Sequence, residues 1–63
     1  MNTHIIAQEL EGIGFQTQIT SIGVLVSLNR PITNIEVEIA LEQVFESISF
    51  QISRVSKQAV LVS

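Results

Sequence analysis

The sequence predicts an α+β fold, a two-layer sandwich in which two helices cover one face of a four-stranded antiparallel sheet. An internal repeat carries this prediction, because QELEGIGFQ at 8–16 returns as QVFESISFQ at 43–51. Each copy then closes on VLVS, at 24–27 and again at 60–63, one position later in the second copy. Both halves of the chain therefore read as helix, strand, strand.

The first repeat begins with a helix. Asn2 or Thr3 can cap it, and Ile6, Leu10 and Ile13 recur at helical intervals that place them on one face. The glycines that follow offer the positive φ that a helix C-terminus commonly needs. We expect the helix to end at these glycines.

A hairpin follows the first helix. Residues 15–20 alternate between apolar or β-branched side chains and polar ones, which is the period of a strand with one buried face. Gly23 permits a short turn, and 24–29 form a second strand whose VLV run is apolar on both faces. Arg30 and Pro31 end the repeat, because proline lacks the amide donor that a central strand requires.

Residues 35–41 fit two interpretations. They alternate strictly and include β-branched residues, which taken alone favours a strand. A helix is favoured by a capping box, in which the Thr33 hydroxyl accepts from the Glu36 amide and the Glu36 carboxylate returns to the Thr33 amide. A hydrophobic staple between Ile32 and Val37 and the alignment of this segment with the first helix favour it too, so we predict a helix. Its apolar face would hold Val37, Leu41, Val44, Phe45 and Ile48.

The second hairpin repeats the first with a change of phase. Residues 50–53 alternate as the earlier strand does, 56–58 make the turn, and 59–63 form the last strand. Because the two copies fall out of phase by one position here, one hairpin is expected to carry a β-bulge or a longer loop.

The order αββαββ predicts the sheet topology. It is the ferredoxin-like βαββαβ order with the first strand moved to the end, which gives a strand order of 3-4-2-1. The single domain, 1–63, would consist of two αββ repeats, about 2–29 and 32–63. The two VLV strands would lie in the centre, where continuous apolar runs are tolerated, and the strands rich in Gln, Ser and Thr would form the edges.

One face of this sheet would carry no helix. Leu25 and Leu61 occupy equivalent positions in the two repeats and would lie together near a pseudo-two-fold axis. A small apolar patch rimmed by amides and hydroxyls is typical of a sheet-to-sheet dimer or a docking surface, although scattered exposed leucines are also ordinary. The candidate interface consists of Gln16, Gln18, Leu25, Ser27, Gln51, Ser53 and Leu61.

Composition narrows the possible functions. Hydrophobic residues make up 46% of the chain and charged residues only 14%, which is more apolar side chain than a lone core of this size usually hides and favours self-association. The chain has no cysteine, so disulfides, thiolate catalysis and sulfur-based zinc sites are excluded. Neither a membrane span nor a signal peptide is predicted, so a cytoplasmic location is expected, with a viral or mobile-element origin left open.

Charge is segregated along the chain. All six acidic residues are glutamates in the two predicted helices, while the only cations, Arg30, Arg54 and Lys57, fall in strands or loops. An acidic helical layer repels phosphate, so any contact with nucleic acid would have to use the sheet side. The candidate acidic face consists of Glu38, Glu42 and Glu46, spaced four residues apart.

The residue types that carry chemistry are sparse. His4 is the only histidine and lies in the first turn of a terminal helix, where we expect a solvated side chain. With no Asp or second His near the glutamates, we predict no catalytic residue, no metal and no cofactor. The segment LEGIGF at 10–15, followed by two strands, resembles the opening of small mRNA-interferase toxins of the HicA type, which use a histidine on a strand. This chain has no histidine on a predicted strand, so that activity is not expected.

Two classes of function remain. The first is a non-enzymatic interaction or regulatory module, homodimeric or docked on a protein partner through the open sheet face. A variant of it is a small acidic inhibitor from a mobile element that presents its glutamates to a basic enzyme surface. The second is a nucleic-acid binder that uses Arg30, Arg54 and Lys57. This function is disfavoured, because three cations provide little positive charge and the open face has no aromatic residue on which bases could stack.

Overall fold

The predicted α+β class is confirmed by a computed structural model, which describes residues 2–45 and 50–63. Two helices accompany a four-stranded antiparallel sheet. Glu46 and Ile48, which the sequence assigned to an acidic face and an apolar face, lie outside the described residues. The elements are α1 (Thr3–Gly12), β1 (Gln16–Thr20), β2 (Gly23–Ser27), α2 (Asn34–Val44), β3 (Ile52–Ser56) and β4 (Ala59–Val62).

The strands of the sheet are ordered β1-β2-β4-β3, which read from the other edge is 3-4-2-1. The central strands β2 and β4 pair antiparallel with Val24 opposite Val62 and Val26 opposite Val60. All four valines are fully buried in one cluster with the buried residues of both helices. Because side chains alternate along a strand, the residues between these valines point to the opposite face, which neither α1 nor α2 covers.

Helix α1 begins and ends through local signals. The Asn2 side chain caps it by accepting hydrogen bonds from two amides of the first turn, at 3.1 and 3.3 Å. Ile6 and Leu10 are buried as predicted. The prediction that Ile13 shares their face is wrong, because the helix ends at Gly12 and the turned backbone of Ile13 leaves its side chain 49% exposed.

Helix α2 covers the segment that fitted two interpretations, so the prediction of a helix there is confirmed. The Thr33 hydroxyl accepts from the Glu36 amide at 3.1 Å, as the capping box requires. The other half of the box is not formed, because the Glu36 carboxylate binds the Arg30 guanidinium instead. Ile32 and Val37, the two residues of the expected staple, are both buried.

Aromatic side chains close the core at its margin. Phe15, Phe45 and Phe50 are partly buried and pack against the core cluster. The rings of Phe45 and Phe50 lie with their centroids 5.8 Å apart and their planes tilted by 60°, an arrangement that aromatic pairs favour. Phe45 follows the last residue of α2, so this contact connects the end of the helix to the chain that enters β3.

Both hairpins have two-residue loops, and they differ in register. In the first, the Thr20 hydroxyl donates to the Gly23 carbonyl at 2.8 Å and Gly23 has a φ of 152°. In the second, a register shift between Arg54 and Ser56 leaves Val55 as an additional residue in β3. The β-bulge predicted from the change of phase is therefore confirmed in the second hairpin.

Candidate interaction surface

The candidate surface is the face of the sheet opposite the helices, which we call the open face. Its centre is a row of four residues that crosses all four strands: Gln18 lies opposite Leu25, Leu25 opposite Leu61, and Leu61 opposite Ser53. The two leucines therefore form a direct cross-strand pair between the central strands, as the sequence predicted.

The remaining predicted residues lie on the same face. Gln16 is opposite Ser27 in a second row. Gln51 immediately precedes β3, and its backbone exchanges hydrogen bonds of 3.0 and 2.9 Å with that of Ser63. Ala59 continues the second row beside Ser27, and sequence reasoning missed it. Counting back by two from Leu61 would have found it, because the period of a strand places both on one face.

Exposure separates the centre of the open face from its rim. Leu25, Leu61 and Ser27 are partly buried by their neighbours, whereas Gln16, Gln18, Gln51 and Ser53 are exposed. None of the seven predicted residues carries a charge. The open face is thus a small apolar centre surrounded by amide and hydroxyl groups that can both donate and accept hydrogen bonds.

Comparison with protein-family models, with curated proteins and with solved structures gives no significant match.

Several large apolar side chains outside the candidate interface are exposed, which sequence reasoning did not anticipate. Ile35 and Ile39 project from the outer surface of α2, at 66% and 50% exposure, beside the exposed Glu38 and Glu42. The described part of the candidate acidic face is therefore interrupted by isoleucines. Their positions also explain the strand-like alternation of this segment, since a helix of this sequence must leave some of its isoleucines in water. Among residues 2–45 and 50–63, the other exposed large apolar residues are Ile5, Ile13, Ile19, Val55 and, at 69% exposure, Ile22.

The cations do not gather on the open face. Arg54 is registered with the buried Val60, so it lies on the helix side of β3, and it donates to the carbonyls of Ser56 and Lys57 at 2.8 and 3.3 Å. Arg30 donates to the Pro31 carbonyl at 3.0 Å and also forms the ion pair with Glu36. Two of the three cations are thus occupied within the chain.

A shallow cleft of about 440 Å³ opens on the helix side of the β3 edge. It is lined by Pro31, Ile32, Arg54, Ser56 and Lys57. Two of these residues are cations, but one of them, Arg54, already donates to carbonyls of the adjacent turn. We assign no ligand to it.

Residues 2–45 and 50–63 contain no group of three or more potential ligands that could hold a metal ion. His4 lies exposed in the first turn of α1. Within the same described ranges, neither helix combines the length and apolar character that crossing a bilayer requires.

The ion pair between Arg30 and Glu36 makes a pH-dependent contribution to stability. The hydrogen bond from Arg30, together with its charge, holds the pKa of the Glu36 carboxyl below its ordinary value. A carboxyl whose pKa is lower in the folded state stabilises the fold above its unfolded pKa, and this stabilisation is lost as the pH falls through its folded pKa. We expect Glu36→Gln to lower the urea midpoint slightly at neutral pH and to bring it closer to the wild-type value in acid.

Glu38→Gln is the matched control, because it makes the same charge change on α2 without touching the ion pair. The pH dependence of its urea midpoint should follow that of the wild type. If Glu36→Gln and Glu38→Gln give the same pH profile, the ion pair does not contribute to stability.

Proposed function

We propose that this protein is a non-enzymatic interaction module that binds a second copy of itself or another protein through the open face of its sheet. The observation that carries the proposal is the cross-strand pair of Leu25 and Leu61 at the centre of the face that neither α1 nor α2 covers. Apolar side chains gain roughly 25 cal/mol for each Å² of surface removed from water, so covering this pair favours association. The uncharged rim supplies hydrogen-bonding groups without the cost of burying charge.

The size of the open face indicates a reversible interaction. Four strands of about five residues span about 19 by 17 Å, at the usual strand spacing and rise. A standard stable interface buries roughly 800 Å² on each partner, which is more than a flat surface of this size supplies. Binding through this face alone therefore belongs to the weak, transient class.

We further propose that the chain is a duplicated αββ unit in a permuted ferredoxin-like arrangement. The repeats match with one extra residue in the second, and Val55 in the bulge of β3 provides a structural position for it. The duplication would explain why Leu25 and Leu61, equivalent in sequence, meet at the centre of the sheet. A pseudo-symmetric face of this kind suits a symmetric partner, including a second copy.

Nucleic-acid binding is the weaker alternative. Arg54 lies on the helix side of the sheet, and its guanidinium holds the turn between β3 and β4. Arg30 is neutralised by Glu36. A surface that binds phosphates needs several unpaired cations on one side, and the open face offers none among its seven predicted residues.

The proposal is tested by charge insertion. Leu25→Lys and Leu61→Lys are expected to weaken self-association or partner binding through the open face at least roughly tenfold, about 1.4 kcal/mol, because a central apolar contact is replaced by a desolvated charge. Sedimentation velocity measures self-association, and capture by the immobilised chain from extracts of its native host measures partner binding.

Ile35→Lys and Ile39→Lys are the matched controls, since they place the same charge on exposed apolar positions of the helix layer. These controls should bind as the wild type does. A strictly monomeric wild type whose partner binding is untouched by the leucine substitutions would overturn the proposal. Binding lost in the isoleucine variants and weakened by rising salt would point to the helix face and to the acidic-inhibitor variant of the hypothesis.

A further inference from the structure

The two edges of the sheet differ in how they are protected. The β3 edge carries the bulge at Val55 and the charged side chain of Arg54, two features that hinder pairing with another strand. The β1 edge, QTQIT, pairs with β2 in unbroken register and contains no charge, proline or glycine. An uncharged, regular edge of this kind is open to strand addition.

The register of the first hairpin identifies the free backbone groups of β1. Thr20 and Gly23 flank a two-residue loop and are paired, so they must exchange both of their backbone hydrogen bonds. Hydrogen-bonded pairs alternate with non-bonded pairs in an antiparallel ladder, so Gln18 also bonds across to β2. The amides and carbonyls of Thr17 and Ile19 then point away from β2, and no backbone partner occupies them within residues 2–45 and 50–63.

We propose that β1 pairs with β1 of a second copy, antiparallel, about a two-fold axis through Gln18. In this register Thr17 of each copy lies opposite Ile19 of the other, and the four residues exchange four backbone hydrogen bonds. Gln16 and Thr20 pair at the ends, so all five residues of the strand have partners. The product is a continuous eight-stranded sheet with the helices of both copies on one side.

The side chains suit this register. Gln18 lies on the open face, so the two copies place their Gln18 amides next to each other, where each group can donate to and accept from the other. On the helix side Thr17 meets the half-exposed Ile19, a pair of β-branched residues of the kind that strands favour.

A carboxylate lies beside this edge without blocking it. Glu11 accepts a hydrogen bond from the Thr17 hydroxyl. Thr17 is registered with the buried Val26, so this contact is on the helix side of the sheet. The backbone groups that would pair point along the plane of the sheet, away from this contact.

Edge pairing would enlarge the open face. Two sheets joined at β1 present a face about 38 Å wide, twice the width of one sheet at the usual strand spacing, with two pairs of central leucines. That area reaches the range of a standard interface. The pairing goes beyond the proposed function and does not depend on it, since it uses backbone groups at the edge and not the leucines.

Hydrogen exchange of the wild-type protein tests the proposal without any substitution. The amides of Thr17 and Ile19 should exchange quickly in dilute solution and slow as the protein concentration rises, by about tenfold when nine-tenths of the chains are paired. The Gln16 and Gln18 amides, bonded to β2 in every state, are the internal controls. Unchanged exchange at Thr17 and Ile19 up to millimolar concentration would overturn the proposal.

Two sets of variants locate the two-fold axis and separate this contact from the open face. Gln18→Lys and Gln18→Glu chains should each lose the concentration-dependent protection of the Thr17 and Ile19 amides, and mixing the two chains should restore it, because the two side chains meet at the axis. Ile19→Pro should abolish the dimer, because it removes an edge donor that the monomer does not use.

Leu25→Lys should leave the concentration-dependent protection of Thr17 and Ile19 intact. Loss of this protection in Leu25→Lys, or no restoration on mixing, would overturn the edge contact.

Discussion

A Gly23→Ala variant is expected to lose roughly 2–5 kcal/mol of folding free energy, from backbone strain and overpacking together. Gly23 has a φ of 152°, a conformation that residues with a side chain rarely adopt. A Cβ built there would lie 2.3 Å from the carbonyl oxygen of Val62 and 3.1 Å from its carbonyl carbon. These atoms belong to the backbone of β4 and cannot rotate away, so the central strands must separate.

This loss is large for so small a chain. At roughly 0.05–0.15 kcal/mol per residue, a domain of 63 residues has a total stability of roughly 3–9 kcal/mol. Gly12→Ala is the matched control, because Gly12 lies in α1 and a Cβ there meets nothing within 4 Å. Alanine in a helix should be neutral or stabilise by up to about 1 kcal/mol. A wild-type urea midpoint for Gly23→Ala would contradict the close approach of β2 to β4.

A Leu10→Ala variant is expected to lose about 2–5 kcal/mol, because it removes a fully buried side chain and leaves a cavity between α1 and the sheet. Leu10 is 0% exposed in the core cluster that joins both helices to the central strands. Urea unfolding measures the loss. An unchanged dependence of the unfolding free energy on urea concentration would show that the cooperative unit is retained.

Ile35→Ala is the control for the core substitution. Ile35 is an apolar residue at 66% exposure on the outside of α2, so its truncation should change stability by no more than about 0.5 kcal/mol. Equal losses in Leu10→Ala and Ile35→Ala would show that α1 does not pack on the sheet as described.

The secondary structure could be predicted because its signals are local. Asn2 and Thr33 cap the helices with side-chain oxygens that lie next to the amides they accept from. Residues 35–41 alternate as a strand does, but their alignment with the first helix favoured a helix. That alignment outweighed the β-propensity of the segment, which tertiary packing easily overrides. The bulge in β3 followed from a phase difference of one residue between the two copies.

One error arises where two donors compete for the same carboxylate, and the other arises at the end of a helix. Glu36 was expected to complete a capping box, but the longer reach of Arg30 brings a charged donor to its carboxylate. Ile13 follows the helical spacing of Ile6 and Leu10, yet the helix ends before it and the face no longer continues. The position of Arg30 beside Glu36 is not visible in a local pattern, whereas the glycines already predicted a helix end next to Ile13.

The candidate site was predictable in part. Alternation along the strands places the leucines on the face opposite the buried valines, and the strand order brings Leu25 and Leu61 together. The side of the sheet that Arg54 occupies depends on the register of β3, and so does the difference between the two edges. That register could be obtained only from the folded arrangement.

The central claim is that the open face is covered when the protein binds. The most direct measurement is the broadening of methyl signals by a soluble paramagnetic probe, in dilute solution and in the associated state. The methyl groups of Leu25 and Leu61 should lose their broadening on association, while those of Ile35 and Ile39 on the helix layer should keep theirs. Leucine methyl groups that stay as broadened in the complex as in the free chain would contradict it.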